Sequence, residues 1–308
     1  MRHIFIDTDT GSDDAVALII ALRHPEVQVE GITTVAGNVT VKQAVQNALY
    51  TVELCGQQVP VYQGAAAPLR RPLSTGQFVH GEDGMGDVGL HLQGREPSPG
   101  EAKDLVIETF SSKPGQVELV TLGPLTNVAI ALQEKPELAH QIKLCTIMGG
   151  IGKGHGNITR KSEFNFWVDP EAASVVFNSG MPLRMVGWDI SRNHAWIGPS
   201  EKADIMALGS ELGQFTLDIQ STLEEFAVEI SKLPGFDLPD PIAMAIALDP
   251  TMVKVSKRLF VEINLSDGEA RGQTMVDHDG LRDKPPNAEV ILEASREQFL
   301  SKLYRSLT

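Results

Sequence analysis

The sequence predicts an α/β protein built on a mostly parallel sheet with helices on both faces. Three observations carry this reading. Short β-favouring runs alternate with helix-patterned runs through the first half. Those strand-like runs are apolar throughout, as expected of strands covered on both faces. Two long polar, Gly-rich loops, Val79 to Gly89 and Gly149 to Asn165, follow strand-like segments. In such sheets, loops of this kind form the ligand crevice.

His3 to Thr8 opens as a short strand, and Asp14 to Arg23 follows as an apolar helix. Val27 to Val35 reads as the second strand. Thr40 to Cys55 then places Val41, Ala44, Val45, Ala48, Leu49 and Val52 on one helical face. Val59 to Tyr62 is a third strand. Ala102 to Ser111, Val117 to Leu122, Leu125 to Leu132 and Ile142 to Met148 continue the alternation, as do Pro170 to Phe177 and Leu183 to Trp188. From residue 199 two long helical stretches, roughly 199–207 and 209–231, precede a Pro-rich loop from Pro234 to Pro241. Ile242 to Leu248 is a helix. Arg258 to Asn264 and Glu289 to Leu292 are strands around a turn-rich segment, and Ser295 to Leu307 closes as a helix. The chain shows no internal repeat and no low-complexity linker. A single domain over 1–308, with a Rossmann-like core and a helical insertion in the C-terminal half, is the economical organisation.

With 308 residues, 42% of them hydrophobic, the chain can bury a large core. The 26 Lys+Arg against 40 Asp+Glu give a net charge of −14, which argues against nucleic acid as the main partner. No apolar run approaches the ~18–20 residues that span a bilayer. Met1 to Asp7 turns acidic too soon for a signal peptide, and Cys55 and Cys145 lack metal-type spacing. The expected location is the cytoplasm.

Asp7-Thr8-Asp9-Thr10-Gly11-Ser12-Asp13-Asp14 sets four carboxylates after a buried-looking strand and at the start of a helix. One or two could be stabilised by the helix N-terminus, with Asp13 as its cap; four repel one another strongly. A hard divalent cation such as Ca²⁺ or Mg²⁺ answers that repulsion. Asp240, before Pro241, reads alone as a helix N-cap. It becomes a ligand if the fold brings it to the first loop, and the strand-to-helix turn Gly123 to Asn127 could add a backbone carbonyl.

On these motifs the chain resembles the inosine–uridine-type nucleoside hydrolases. The resemblance begins in Asp7 to Ala15 and runs through Thr33 to Asn38, His80 to Gly86 and Gly123 to Asn127. It continues through Met148-Gly149-Gly150, Gly156-Asn157, Glu163 to Asn165 and Asp169 to Ala172, and ends in Asp240-Pro241. It implies Ca²⁺-dependent cleavage of the N-glycosidic bond of ribonucleosides to ribose and free base. The implied Ca²⁺ ligands are Asp9, Asp14, the Leu122 carbonyl and Asp240, with Asp9 also the base that activates a metal-bound water. Asp13, Asn38, Glu163 and Asn165 are implied to hold ribose hydroxyls. Met148 and Asn157 would line the sugar pocket, His80 would lie in the loop over the nucleobase, and Asp7 would shape the site. A homo-oligomer, dimer or tetramer, is also implied.

The chain departs from the pattern twice. The best-known members of the family carry a His immediately before the late Asp, implied as the acid that protonates the leaving base; here Pro239 stands there. Proline has no proton to give. His80, His155, Arg160 and Lys161 are the candidate replacements. In Ile219 to Ile230, where some members stack the base on aromatics, Phe226 is the one aromatic residue, and it reads as core. Two alternatives remain open on the residues. A non-catalytic nucleoside or ribose binder is motivated by Pro239. A phosphoaspartyl hydrolase of the haloacid dehalogenase type would use Asp7 as nucleophile.

Overall fold

A computed structural model describes residues 1–230 and 234–308. The strands are β1 (Arg2–Thr8), β2 (Val27–Thr34), β3 (Val61–Gln63), β4 (Val117–Thr121), β5 (Cys145–Met148) and β6 (Leu183–Val186), then β7 (Trp196–Ile197) and β8 (Phe236–Asp237). β9 (Val253–Leu259), β10 (Val261–Ile263), β11 (Thr274–Val276) and β12 (Ala288–Ala294) complete the set. Eight form one sheet in the order β3-β2-β1-β4-β5-β6-β12-β9. Every pairing in it is parallel except β12 with β9. The predicted mostly parallel α/β architecture is therefore what the chain adopts.

Period-two alternation assigns the two faces. Ile4 and Ile6 join the core that holds the helices Ser12–Leu22, Pro239–Leu248 and Arg296–Ser306. Phe5, between them, points into the opposite core with Ala102–Ser112, Thr126–Glu134 and Pro170–Phe177. Ser12–Leu22 is buried at every position, and so is Asp240–Leu248. These two helices pack on one another and are apolar all round beyond their first turns. Both first turns carry carboxylates: Asp13 and Asp14 on one, Asp240 on the other.

β2 and β3 lie on one side of β1, and β4 and β5 on the other. The chain crossovers thus diverge at the carboxyl ends of β1 and β4. That switch point is where open parallel sheets leave a crevice.

Several expected elements differ. The stretch 209–231 is broken into Glu211–Asp218, Ser221–Glu225 and a wider turn at Phe226–Ile230; residue 231 lies outside the described residues. The break falls at buried Gln220, whose amide donates to the Ser12 carbonyl at 2.8 Å and accepts from Ser12 Oγ at 2.9 Å. Arg258 to Asn264 is two strands, because the chain leaves β9 at Leu259 and enters a separate hairpin at Val261. Trp188 opens a helix, Trp188–His194, after Gly187 rather than ending a strand.

Candidate active site

Asp7 is the one acid of β1, and it is buried. Its Oδ1 accepts from Thr33 Oγ1 at 2.6 Å and from Asn127 Nδ2 at 2.7 Å. Asn127 Nδ2 also donates to the Thr34 carbonyl, and its Oδ1 accepts from Ala65 N. Asp7 is thus a strut between β1, β2 and the helix Thr126–Glu134; burial pushes its carboxyl up to about 7. It is fully buried and does not line the cavity described below. That arrangement gives no access to Asp7 as a phosphoaspartyl nucleophile.

Beyond β1 the chain turns through Asp9. Asp9 Oδ2 accepts the backbone N–H of Asn38 at 2.7 Å, and its Oδ1 has no hydrogen-bond partner among the described residues. Gly37 and Gly123 pack on this carboxylate so closely that a Cβ at either would collide with it. Asp14 Oδ1 accepts from Thr8 Oγ1 at 2.5 Å, and its Oδ2 accepts from Gly11 N at 2.8 Å and Asn38 Nδ2 at 3.0 Å. The helix is therefore capped by Gly11 with Asp14 bonding back, and Asp13 is not the cap. Asp240 likewise sits inside the first turn of a helix that starts at Pro239, capping nothing with its side chain.

One carboxylate oxygen from each of Asp13, Asp14 and Asp240 lies within 4.8 Å of the others. Asp9 belongs to the same electrostatic cluster. Burial is the first cause raising all four pKa values; repulsion adds to it, from within the cluster for Asp9, Asp14 and Asp240 and from Asp237 for Asp13. Asp13 and Asp14 are pushed up to about 6, and Asp9 and Asp240 well above the ordinary value. Among the described residues no Lys or Arg forms an ion pair with any of them. The nearest basic group is His80, with Nδ1 3.7 Å from Asp13 Oδ1 and 3.0 Å from Ser12 Oγ. Burial pushes His80 down to about 4, so its ring is neutral at physiological pH. Buried carboxylates of this kind need protons or a cation. Carboxylate oxygens gathered this closely are hard donors that fit a divalent cation.

A cavity of about 870 Å³, counting its open mouth, ends on this cluster. That size accommodates a small-molecule substrate. Asp13, Asn38, His80, Leu122, Met148, Asn157, Glu163, Asn165 and Asp240 all line it, while Asp9 and Asp14 lie fully buried behind that lining. Glu163 caps the helix Phe164–Val168, accepting from Asn165 N at 2.7 Å and Phe166 N at 3.3 Å, and also takes Gly150 N at 2.8 Å. Burial nonetheless pushes its carboxyl up to about 7. Asn165 Nδ2 donates to the Leu122 carbonyl at 2.7 Å, leaving that oxygen one further lone pair. The same Nδ2 lies 3.3 Å from Met148 Sδ and the Met148 carbonyl. Asn157 Oδ1 accepts from Phe164 N at 2.9 Å.

The other candidate cations part company here. Arg160 and Lys161 line a separate cavity with Lys153 and His278. His155 is exposed, its ring 6.1 Å from Trp188. Phe226, expected in the core, is only partly buried; it lines the main cavity and meets Phe78 edge-on at 6.0 Å. Residues that sequence reasoning passed over also line it: Phe78, Trp188, Arg192 and Asp237. Nothing in their local patterns set them apart, because they converge only through the tertiary fold.

A buried acid cluster at the floor of a partly apolar cavity, set at the switch point of a parallel sheet, defines a small-molecule enzyme of the α/β class. The chain belongs to the inosine–uridine preferring nucleoside hydrolase family, whose profile it matches over residues 4–301. It is an N-ribosyl hydrolase. It is 33% identical over 298 residues to the pyrimidine-specific ribonucleoside hydrolase RihB of Escherichia coli (strain SE11), covering 97% of this chain and 94% of the relative. The plant nucleoside hydrolase PpNRh1 superposes with a TM-score of 0.94 at 32% identity, over 100% of this chain and 99% of that one. A purine-preferring ribonucleoside hydrolase from Gardnerella vaginalis gives a TM-score of 0.91 at 31% identity, over 99% and 98%. RihB and the Gardnerella enzyme differ in the base that their names give. No helix among the described residues is long and apolar enough to cross a membrane.

Proposed function

We propose that the protein is a Ca²⁺-dependent hydrolase that cleaves ribonucleosides to ribose and free base, with Asp9 as the general base. The observation that carries the reading is the cluster of Asp9, Asp13, Asp14 and Asp240, buried, mutually repelling and unpaired with Lys or Arg among the described residues. Asp9, Asp14, Asp240 and the Leu122 carbonyl would hold the ion. When bound, it supplies Lewis acidity that orients a water and eases its deprotonation.

The chain's own groups do the rest. Asp9 keeps one oxygen on Asn38 N–H and has the other free to take the proton of the attacking water. Asp13, Asn38, Glu163 and Asn165 accept or donate to the ribose hydroxyls, and Met148 and Asn157 close round the sugar. As the C1′–N bond lengthens, the sugar gains oxocarbenium character, which the surrounding carboxylates stabilise. His80, neutral and held by Ser12, covers the base side.

The whole chain would act as one nucleoside-hydrolase domain, in the cytoplasm, as a dimer or tetramer, with a nucleoside as its small-molecule partner. The test is a panel of purine, pyrimidine and nicotinamide ribosides assayed for reducing sugar, with Ca²⁺ and with chelator. Turnover that is lost in chelator and restored by Ca²⁺ is expected. Turnover indifferent to chelation would overturn the metal assignment.

A further inference from the structure

Pro239 leaves the departing base without the acid implied at that position, and His80 Nδ1 is engaged by Ser12 Oγ at 3.0 Å. The cavity lining nevertheless contains one permanently charged cation among the described residues, Arg192. Trp188 and Arg192 are four apart on the helix Trp188–His194 and so share a face. The guanidinium carbon of Arg192 lies 5.1 Å from the centre of the Trp188 ring, within cation–π range. Arg192 Nη1 stands 3.6 Å from Asp237 Oδ1, while Asp237 Oδ2 accepts from Ser191 Oγ at 2.6 Å. Asp237 therefore fixes the head group electrostatically, but at 3.6 Å it consumes none of the guanidinium's N–H donors. An indole face, a fixed guanidinium and a cavity wall meet at one place.

Resting on the hydrolase reading above, we propose that Arg192 is the leaving-group residue, and that it selects nucleobases bearing a carbonyl oxygen over adenine. Water oxygen bonds to C1′ as the C1′–N bond breaks, and the bonding pair departs with the base nitrogen. In uracil, hypoxanthine or guanine that charge delocalises to a carbonyl oxygen. The planar guanidinium donates charge-assisted hydrogen bonds to such an oxygen. The attacking water's proton goes to Asp9, and the released base takes a proton from solvent. On adenine the exocyclic group is an amino donor, so the guanidinium meets no oxygen there and only ring nitrogens remain as acceptors. Asp237 is a positioning residue: it holds Arg192 and does not touch the base.

The experiment compares kcat/KM for inosine, uridine, adenosine and 4-nitrophenyl β-D-ribofuranoside, whose leaving group is a stable anion that needs little help. It uses the Ca²⁺-loaded full chain and its R192A, R192K and D237N variants. Arg192→Gln, which keeps the side chain's length, replaces R192A if that variant is unstable. Wild type is expected to favour inosine and uridine over adenosine. R192A is expected to lower the ratio of inosine to 4-nitrophenyl riboside by about 100-fold, the scale of losing one donor to a developing anion. R192K should recover part of that ratio, and D237N should lower it less than R192A does. A ratio unchanged in R192A, or adenosine cleaved as well as inosine by wild type, overturns the inference and leaves the hydrolase reading standing. Failure of wild type to cleave any of the four ribosides overturns both.

Discussion

Asp9 Oδ2 accepts the Asn38 backbone N–H at 2.7 Å, while Asp9 Oδ1 has no partner among the described residues. The carboxylate is thus fixed by one oxygen and open by the other, the geometry a general base needs. Asp9→Asn keeps a carbonyl for the Asn38 N–H but cannot take a proton. Its kcat is expected to fall by about 10²–10⁴. Circular dichroism and the melting temperature should stay near wild type; wild-type turnover in this variant removes Asp9 as the base.

The oxygens of Asp13, Asp14 and Asp240 within 4.8 Å of one another make the folded state a strong cation acceptor. Ca²⁺ at 100 times its Kd should stabilise the protein by about 2.7 kcal/mol through mass action. Asp240→Asn removes one charge from the set and is expected to need much more Ca²⁺ for the same rise in Tm. Without Ca²⁺ the variant should melt no lower than wild type, because it also relieves repulsion. Differential scanning calorimetry across a Ca²⁺ titration reads both effects.

The acid loop and the sheet were legible for one physical reason: each is written in local pattern. Apolar runs bounded by turns marked β1, β2, β4 and β5, and four acids in eight residues cannot be a solvated accident behind a buried strand. Asp240 alone reads as a helix cap, and it was a candidate ligand only on the condition that the fold bring it to the first loop. Arg192 and Asp237 stayed hidden because 45 residues of chain separate them and only the β7–β8 pairing brings them together. Gln220 was hidden in the same way: its amide bonds to Ser12, 208 residues away, break a helix that local periodicity continues.

Gly37 is required by space and not by backbone conformation. A Cβ there would overlap Asp9 Oδ2 and come within 2.8 Å of Pro124 Cδ. Neither neighbour can yield, because the carboxylate is pinned and the proline ring is rigid. Gly37→Ala is expected to destabilise by about 1–3 kcal/mol, as overpacking does. It should also displace Asp9 from Asn38, so kcat should drop more than tenfold while KM changes little. A chemical melt paired with steady-state kinetics separates the two losses.

Glu163 supplies the pH dependence that is easiest to assign. Burial raises its carboxyl from 4.5 to about 7, against the opposing pull of three backbone N–H donors. The folded state therefore binds the extra proton between those values. Its stabilising contribution is full below 4.5 and is lost as pH rises through about 7. Substrate binding runs the other way, because a ribose hydroxyl donates more strongly to a carboxylate than to a neutral acid. KM is expected to rise about tenfold as pH falls through this region, the effect of losing one charge-assisted hydrogen bond. Glu163→Gln should raise KM at pH 8 and flatten its dependence between pH 6 and 8. Its Tm should be lower at pH 5, where the amide nitrogen cannot accept the N–H bonds that the protonated acid still accepts. Part of that deficit should close by pH 8, where the wild type bears the cost of a buried charge. A KM profile in Glu163→Gln that still bends near 7 assigns the titration to another group.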